Sequence, residues 1–414
     1  MKKIALALVF CLIVAGTLQA QFSLSGEFRP RTEYSHGYKS LADADQNASL
    51  FTSQRTRLNL NYTAEKITTK LVLQDVRNWG NQKQLVGNED FATSIHEAWA
   101  EAKLGAGISL QLGRQELVYD NSRIFGNVGW AQQARSHDLL LAKYQGAFKL
   151  HFGLAYHQSG VRTNNIYNGP DAYKSMQFLW FNKKLEKLSI SLLVLNNGVP
   201  YTIDNIGSLI TEQGIRYSQT IGSTIAYKFE KLNLGGNIYY QTGTDPSGME
   251  LGAYEVLVEA GLALSSNTKV GLSYEILSGT DPNETTVNNS FTPLYGTNHK
   301  FNGHMDYFFV GNHMNSVGLQ DITISFTQKI KSISLNAHIH AFFSAAALTN
   351  GNYLGTEADL FMAYPVADNI KIQLGYSQMF AGEGMTEIKS GSIDEIQNWA
   401  YLMFVFTPKF LVNE

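Results

Sequence analysis

The stretch FKLHFGLAYHQ, residues 148–158, decides the fold. Phe148, Leu150, Phe152, Leu154 and Tyr156 alternate with Lys149, His151, Gly153, Ala155 and His157. Apolar and polar residues alternating with period two mark an extended strand, whose side chains point to opposite faces in turn. The same rhythm returns in KVGLSYEILSG (269–279) and RYSQTIGSTIAYKF (216–229). Followed along the chain, it predicts 18 strands starting near residues 22, 52, 67, 94, 108, 137, 147, 173, 188, 216, 231, 250, 268, 319, 332, 357, 369 and 397.

The connections between these strands are of two kinds. Each even strand is followed by a tight link: EK near 65, GAG at 105–107, then QGA, KKLEK, FEK, SSNT, QKIK and VADN. Each odd strand is followed by a longer polar loop, the longest from about Thr280 to Gly318. Alternating short turns and long loops belong to an all-β, transmembrane antiparallel β-barrel of about 18 strands (16 being the alternative) with both termini in the periplasm. A water-soluble sandwich gives no reason for the alternation. SIHEAWAEAKL (94–104) has a composition that also suits a helix. As a strand it puts Glu97, Trp99, Glu101 and Lys103 on one face, and the glycine turn that follows favours this reading.

The ends and the composition agree. Lys2 and Lys3 precede an unbroken apolar run, Ile4 to Val14, and AGTLQA follows, which predicts a signal peptide over 1–20 cleaved after Ala20 and a single barrel domain over 21–414. Eleven apolar residues are too few to span a bilayer. The only cysteine, Cys11, lies inside that run, so the mature chain has no disulfide, thiol nucleophile or cysteine-bound metal. Removing the two leader lysines takes the formal charge from −3 to −5, which offers nothing to nucleic acid. With 21 tyrosines, 23 phenylalanines, 36 glycines and 8 prolines, and no later apolar run of transmembrane-helix length, the chain reads as an outer-membrane protein. NWAYLMFVFTPKF (398–410) has the form of a last strand that barrel-assembly machinery reads, with Phe410 near its end.

An arginine facing lipid at mid-bilayer costs roughly 2–4 kcal/mol, and that cost assigns the faces. Arg55 and Arg57, opposite Leu58 and Leu60, face the lumen, as do Glu27, Arg29, Arg31 and Glu33, opposite Leu24 and Phe28. Glu255 with Glu259, Lys269 with Glu275, and Glu357 with Asp359 sort inward in the same way, which makes the lumen wet and of mixed charge. All ten arginines lie between Arg29 and Arg216. Since sequence order is angular order around a barrel, they gather on one side of the pore. They form either a ladder guiding anions along that wall or internal salt bridges to Glu27, Glu33, Glu97, Glu101 and Glu116.

Catalytic motifs are missing: there is no H-E-x-x-H, no G-x-S-x-G and no glycine-rich phosphate loop. His338 and His340 share a strand face. With no third ligand evident in the sequence they read as solvated lumen histidines, so no metal or cofactor is expected. TDPNETT (280–286) and TDPSG (244–248) suit ordinary turns as well as calcium at a loop tip.

Five segments bear a family likeness: TSQRTRLNLNY (52–62), LQDVRNWG (73–80), HEAWAEAKL (96–104), GRQELVYDNSRIFGNVGWAQQARSHD (113–138) and NWAYLMFVFTPKF (398–410). Here the chain resembles the alginate-export family of outer-membrane proteins, in the branch common among Bacteroidetes-type bacteria, most densely over 22–160 and again at the last strand. The resemblance implies a monomeric barrel of about 18 strands with an arginine-rich constriction through which an anionic polysaccharide slides. The arginines at matching motifs are Arg55, Arg57, Arg77, Arg114, Arg123 and Arg135.

The expectation is therefore a passive channel for anionic polymer or small anions, with Arg29, Arg31, Arg55, Arg57, Arg77, Arg114, Arg123, Arg135 and Trp130 along the solute path. The alternatives are a general diffusion porin with mixed lumen charge, a barrel enzyme at the rim, or a plugged structural barrel or adhesin. GRQELVY (113–119) reads as the rising fifth strand and DNSRIFGNVGWAQQARS (120–136) as its long loop, either folded against or into the mouth as a constriction or serving as an external connection. Period two alone puts Arg114 with Leu110 and Leu112 on the lipid face, whereas a bulge seated at Gly113 would turn Arg114 and Glu116 inward.

Overall fold

The computed structural model describes residues 21–85, 93–161, 173–204, 211–309 and 311–412, so the expected leader lies outside the described residues. Eighteen antiparallel strands form the barrel. They are β1 Gln21–His36, β2 Ser49–Thr63, β3 Ile67–Asn78, β4 Thr93–Gly105, β5 Ile108–Gln115, β6 His137–Gln145, β7 Lys149–Tyr156, β8 Ser175–Lys184 and β9 Leu188–Asp204. The second half holds β10 Thr211–Phe229, β11 Leu232–Thr244, β12 Glu250–Ala263, β13 Thr268–Leu277, β14 Leu319–Ile330, β15 Ile333–Phe343, β16 Tyr353–Ala367, β17 Ile370–Ala381 and β18 Gln397–Phe406. Each strand pairs with the next, and β18 closes the ring on β1 from His36↔Asn398 to Phe28↔Phe406. Closing a sheet in this way leaves no unpaired edge in the membrane.

The strand starts follow the hydrophobic rhythm, with the largest departure at β10, which begins at Thr211 rather than near 216. Its first residues, TEQGI, carry no alternation to read, yet they pair with β9 from Thr211↔Asp204 onward. The β4 segment with helix-compatible composition is a strand, paired on both sides. Its turn works because Gly105, Ala106 and Gly107 all take positive φ (93°, 51° and 77°). At the seam, Pro408 interrupts the last strand. It donates no N–H, but its carbonyl accepts from Gly26 N at 2.8 Å, and pairing with β1 resumes at Ser25↔Lys409.

The two faces sort by polarity. Leu112, Ile238, Val258, Leu272 and Ile324 are more than half exposed on the outer face, where hydrocarbon solvates them. Arg29, Arg31, Arg55, Glu255, Glu275, Glu357 and Asp359 point inward and are all less than a tenth exposed. The mid-lumen charges are thus covered by protein rather than solvated, because the long loops fold back inside. One bulge modifies the period. Register slips between Val72↔Glu97 and Leu73↔Ile95, so His96 and Glu97, adjacent in sequence, both turn into the lumen.

The face assignment has a direct check. Leu58→Arg places a guanidinium on the lipid side at a cost of roughly 2–4 kcal/mol, whereas Asn59→Arg places it in the lumen. The first variant should show a reduced folded, heat-modifiable gel band after refolding into detergent, and the second should fold like the parent.

Candidate constriction site

The loop after β5, residues 116–136, leaves the wall at Gln115 and enters the lumen. Its first part is apolar and buries Leu117, Tyr119, Ile124 and Phe125. The Tyr119 ring packs 4.7 Å from Trp180 and 5.6 Å from Phe178 on β8, and its hydroxyl meets His151 Nδ1 at 2.9 Å. Trp180 Nε1 donates to Asp120 Oδ2 at 2.9 Å. The loop then reaches across the ring. Asn121 donates to Asn237 on β11 at 2.7 Å, and Arg123, 1% exposed, meets Glu275 of β13 at 2.9 Å. From there it turns back and lays residues 129–133 on β1–β3.

That return is where the arginines act. Arg29 donates from Nη1 to the Gly129 carbonyl (2.8 Å), from Nη2 to the Trp130 and Ala131 carbonyls (3.1 and 3.2 Å), and from Nε to Gln132 Oε1 (3.1 Å). Arg31 donates to the Trp130 carbonyl at 2.8 Å, and its guanidinium lies 3.9 Å from the centre of the Trp130 ring. Arg55 donates to the Gly129, Ala131 and Gln132 carbonyls at 3.4–3.5 Å while Glu27 holds it from the wall side at 2.6 Å. Arg57 donates to Gln74 at 2.8 Å, and Gln74 passes the contact on to the Gln133 carbonyl at 3.0 Å. Buried carbonyls need partners, and charged donors are worth about 1.5–3 kcal/mol each there. The guanidinium row is thus a clamp on one peptide segment. The Trp130 ring is fixed on its other side by His299, stacked at 4.5 Å.

The opposite wall is acidic and holds a second loop, residues 278–318. Glu357 Oε1 accepts from the backbone N–H groups of His304 and Met305 at 2.5 and 2.9 Å. Gly303 permits this approach: its φ is +83°, and a Cβ there would stand 2.7 Å from the Glu357 carboxylate. Asn302 donates to Glu275 and Asp321 at 2.7 and 3.2 Å and accepts from Arg123 at 3.0 Å, tying the two loops together. Tyr38 donates to Asp306 at 2.5 Å from the loop after β1. At the entrance to the first loop, Glu116 meets His96 Nε2 at 2.7 Å and accepts from Asn127 at 2.8 Å. Burial alone would raise its pKa, but these partners and Arg57 hold it below the ordinary carboxylate value.

Seven of the nine expected path residues therefore converge in the lumen: Arg29, Arg31, Arg55, Arg57, Arg123, Trp130 and Arg135, whose Nη1 donates to the Gly296 carbonyl at 3.1 Å. Two do not. Arg114 stays on the outer face beside Leu112, paired with Asp138 at 2.8 Å. Register runs through Gly113 without a slip on either side, so no bulge forms. That glycine instead takes φ +122° where the β4 backbone approaches, since a Cβ would lie 2.3 Å from the Ala98 carbonyl. Glu116 points inward only because the chain has already left the strand. Arg77 is outside as well: Gln74 faces in, so period two turns Asp75 and Arg77 out, where they pair at 2.6 Å. The acidic residues Glu97 and Glu101 face in and bind Lys70 and Lys143. His340 is 6% exposed and bound by Asp321 at 3.0 Å, not solvated. Asp245 of TDPSG is engaged by its own turn, accepting from Ser247, Gly248 and Met249. Sequence reasoning missed Asn302, Gly303, His304 and Asp306. The only signal for them was the run FNGHMDYFF, too apolar and aromatic for a loop lying in water.

On the short-turn, periplasmic side of these loops the lumen widens into a cavity of about 640 Å3, lined on β9–β14 by small inward residues such as Ser189, Gly235, Gly261, Gly271 and Ser325.

A closed 18-strand ring with charged walls and loops folded inside defines an outer-membrane, porin-type barrel. Solved barrels agree in fold. OccK3 (OpdO) of Pseudomonas aeruginosa superposes with a TM-score of 0.61 at 13% identity, covering 95% of this chain and 96% of that one. A BenF-like porin of Pseudomonas fluorescens Pf-5 gives 0.59 at 10% identity over 94% and 99%. P. aeruginosa OpdK, solved with vanillate, gives 0.56 at 11% identity over 94% and 99%. The sequence model of the alginate-export family matches residues 201–397. Most of this lies between the two regions of densest resemblance, and the arginine motifs of 52–138 lie outside it. No curated protein sequence matches the chain.

If the guanidinium row is the clamp, Arg29→Ala combined with Arg55→Ala frees residues 129–133 while the strands stay paired. Single-channel conductance in planar bilayers should rise, and trypsin should cut beside the freed segment at Arg135 in folded protein. Unchanged conductance and an uncut loop would count against the clamp.

Proposed function

We propose that the barrel is a passive outer-membrane channel for anionic solutes, with the two inserted loops setting its width. The observation that carries the proposal is Arg57. Its Nη2 is buried in the lumen and has no hydrogen-bond partner among the described residues. A buried, unpartnered cationic donor costs free energy unless an anion completes it. Arg57 is also the lowest of the four guanidiniums, since β2 descends toward the periplasm, so a solute carboxylate leaving the loops would meet it last. One such donor beside carboxylates makes a weak site, and conduction requires weak sites. The alginate-export match and the vanillate bound to a similar barrel both belong to anionic cargoes, which supports the same class here. Loops pinned at this many points favour small sugar acids or other small carboxylates over a polymer.

A second reading, a general diffusion porin, rests on the charge balance. Glu27, Glu33 and Glu116 stand beside the arginines, and an acidic wall faces them. Such a lumen presents a transverse field with little net sign.

Reversal potentials in a KCl gradient separate the two. Anion preference in the parent that falls in Arg57→Gln supports the proposal. A parent reversal potential of zero supports the general porin, and preference unchanged by the substitution removes Arg57 from the mechanism.

A further inference from the structure

We propose that the lumen contains a transition-metal site of the kind that takes Zn2+, formed by His304 of the second inserted loop, His338 of β15 and Asp359 of β16. One nitrogen from each imidazole and one oxygen of the carboxylate all lie within 4.8 Å of one another. Ligands about 2.0–2.1 Å from a tetrahedral Zn2+ sit roughly 3.4 Å apart, so modest side-chain rotation closes the set.

The surrounding hydrogen bonds point to a cation. Asp359 Oδ2 and His340 Nε2 are both buried, both without a hydrogen-bond partner, and 3.5 Å apart. His340 Nδ1 lies 3.0 Å from both oxygens of Asp321. With its proton placed there, Nε2 presents a bare lone pair to a carboxylate oxygen: two acceptors face each other, and a cation between them resolves the conflict. A second relay prepares His304. His299 Nδ1 binds Asp306 Oδ1 at 2.8 Å, and His304 Nδ1 approaches His299 Nε2 at 3.4 Å. Protons assigned along that chain leave His304 Nε2 unprotonated, the form that ligates. Ser377 donates to Asp359 Oδ1 at 2.5 Å and fixes the carboxylate. Asp306 acting through His299 behind His304, and the Ser377 hydrogen bond behind the ligating carboxylate, are outer-shell contacts of the kind that orient metal ligands.

The donor set selects the ion. Two imidazoles and one carboxylate, with His340 as a neighbouring fourth, suit Zn2+, Co2+, Ni2+ or Cu2+. Ca2+ and Mg2+ need more oxygens than the cluster provides. His304 and His338 are only half-buried, which leaves an entry path from the lumen. An ion here joins the loop to two wall strands beside the Glu357 contact and staples the second loop to the acidic wall.

Full-length untagged protein, folded in detergent and stripped with a chelator, is titrated with Co2+ and followed in the visible spectrum, then with Zn2+ by calorimetry. One equivalent should bind, with Co2+ showing the d–d bands of a low-coordinate nitrogen–oxygen site and yielding to Zn2+. His304→Ala, which alters only the loop, and Asp359→Asn should each abolish stoichiometric binding. His299→Ala, which removes the outer hydrogen bond together with the Trp130 stacking contact but no proposed ligand, should weaken it by about 10- to 100-fold. Heat-modifiable gel mobility verifies that each variant is folded. No stoichiometric binding by the stripped parent overturns the site in favour of a protonated His340 bridging Asp321 and Asp359. Binding that survives both ligand substitutions overturns it as well.

Discussion

A peptide segment laid inside a barrel loses water on every side, and each carbonyl and amide it buries must be paired or cost about 1–3 kcal/mol. That constraint organises this lumen. The wall meets it with charge of the appropriate sign. Carbonyls 129–132 receive guanidinium N–H groups from Arg29, Arg31 and Arg55, while amides 304 and 305 and the Asn302 side chain receive carboxylate oxygens from Glu357, Glu275 and Asp321. Apolar side chains of the same loops cover the remaining surface, joining strands from all round the ring into one core.

The uneven distribution of arginine follows from the same constraint. The first loop ends on β1–β3 in a turn-and-bend segment that directs its carbonyls at the wall, and only donors fit there. The second loop presents amides across a glycine at positive φ, and only acceptors fit there. A basic wall on the early strands and an acidic wall on the late ones are therefore expected from how the loops dock, before any solute is considered. The outer face needs no such donors, and its two arginines near strand ends, Arg77 and Arg114, are each neutralised by an aspartate beside them.

Period-two patterning made the barrel legible because lipid on one side and polar groups on the other act on every strand residue alike. Arg29, Arg31, Arg55 and Arg57 inside and Leu58 outside could be read without knowing any partner. What needed a partner could not be read. The bulge at His96–Glu97 depends on pairing with Val72 and Leu73, so period two by itself, which puts neighbours on opposite faces, does not bring His96 inside with Glu97. Gly113 invited the opposite mistake, because a glycine that admits a bulge and one that admits a close backbone approach look the same in sequence. Contacts such as Arg29 with Gln132 join residues 103 apart, and His304, His338 and Asp359 share no motif spacing. Loop paths in this lumen are chosen by side chains on distant strands, and a single sequence does not show which strand is near which loop.

The wide periplasmic half of the lumen completes the argument about where resistance lies. Small residues on β9–β14 leave a cavity there, while the mid-lumen is occupied by loop segments that are almost wholly buried. On the channel reading proposed above, the narrowest of several compartments in series controls flux, so conduction would follow the strength of the loop docking more than the strand number. Guanidinium clamps are insensitive to pH because arginine stays charged throughout the physiological range. The basic wall therefore holds the first loop in the same way across that range. The acidic side differs, because it holds the second loop through histidines and carboxylates, whose bonding can change with protonation or an ion.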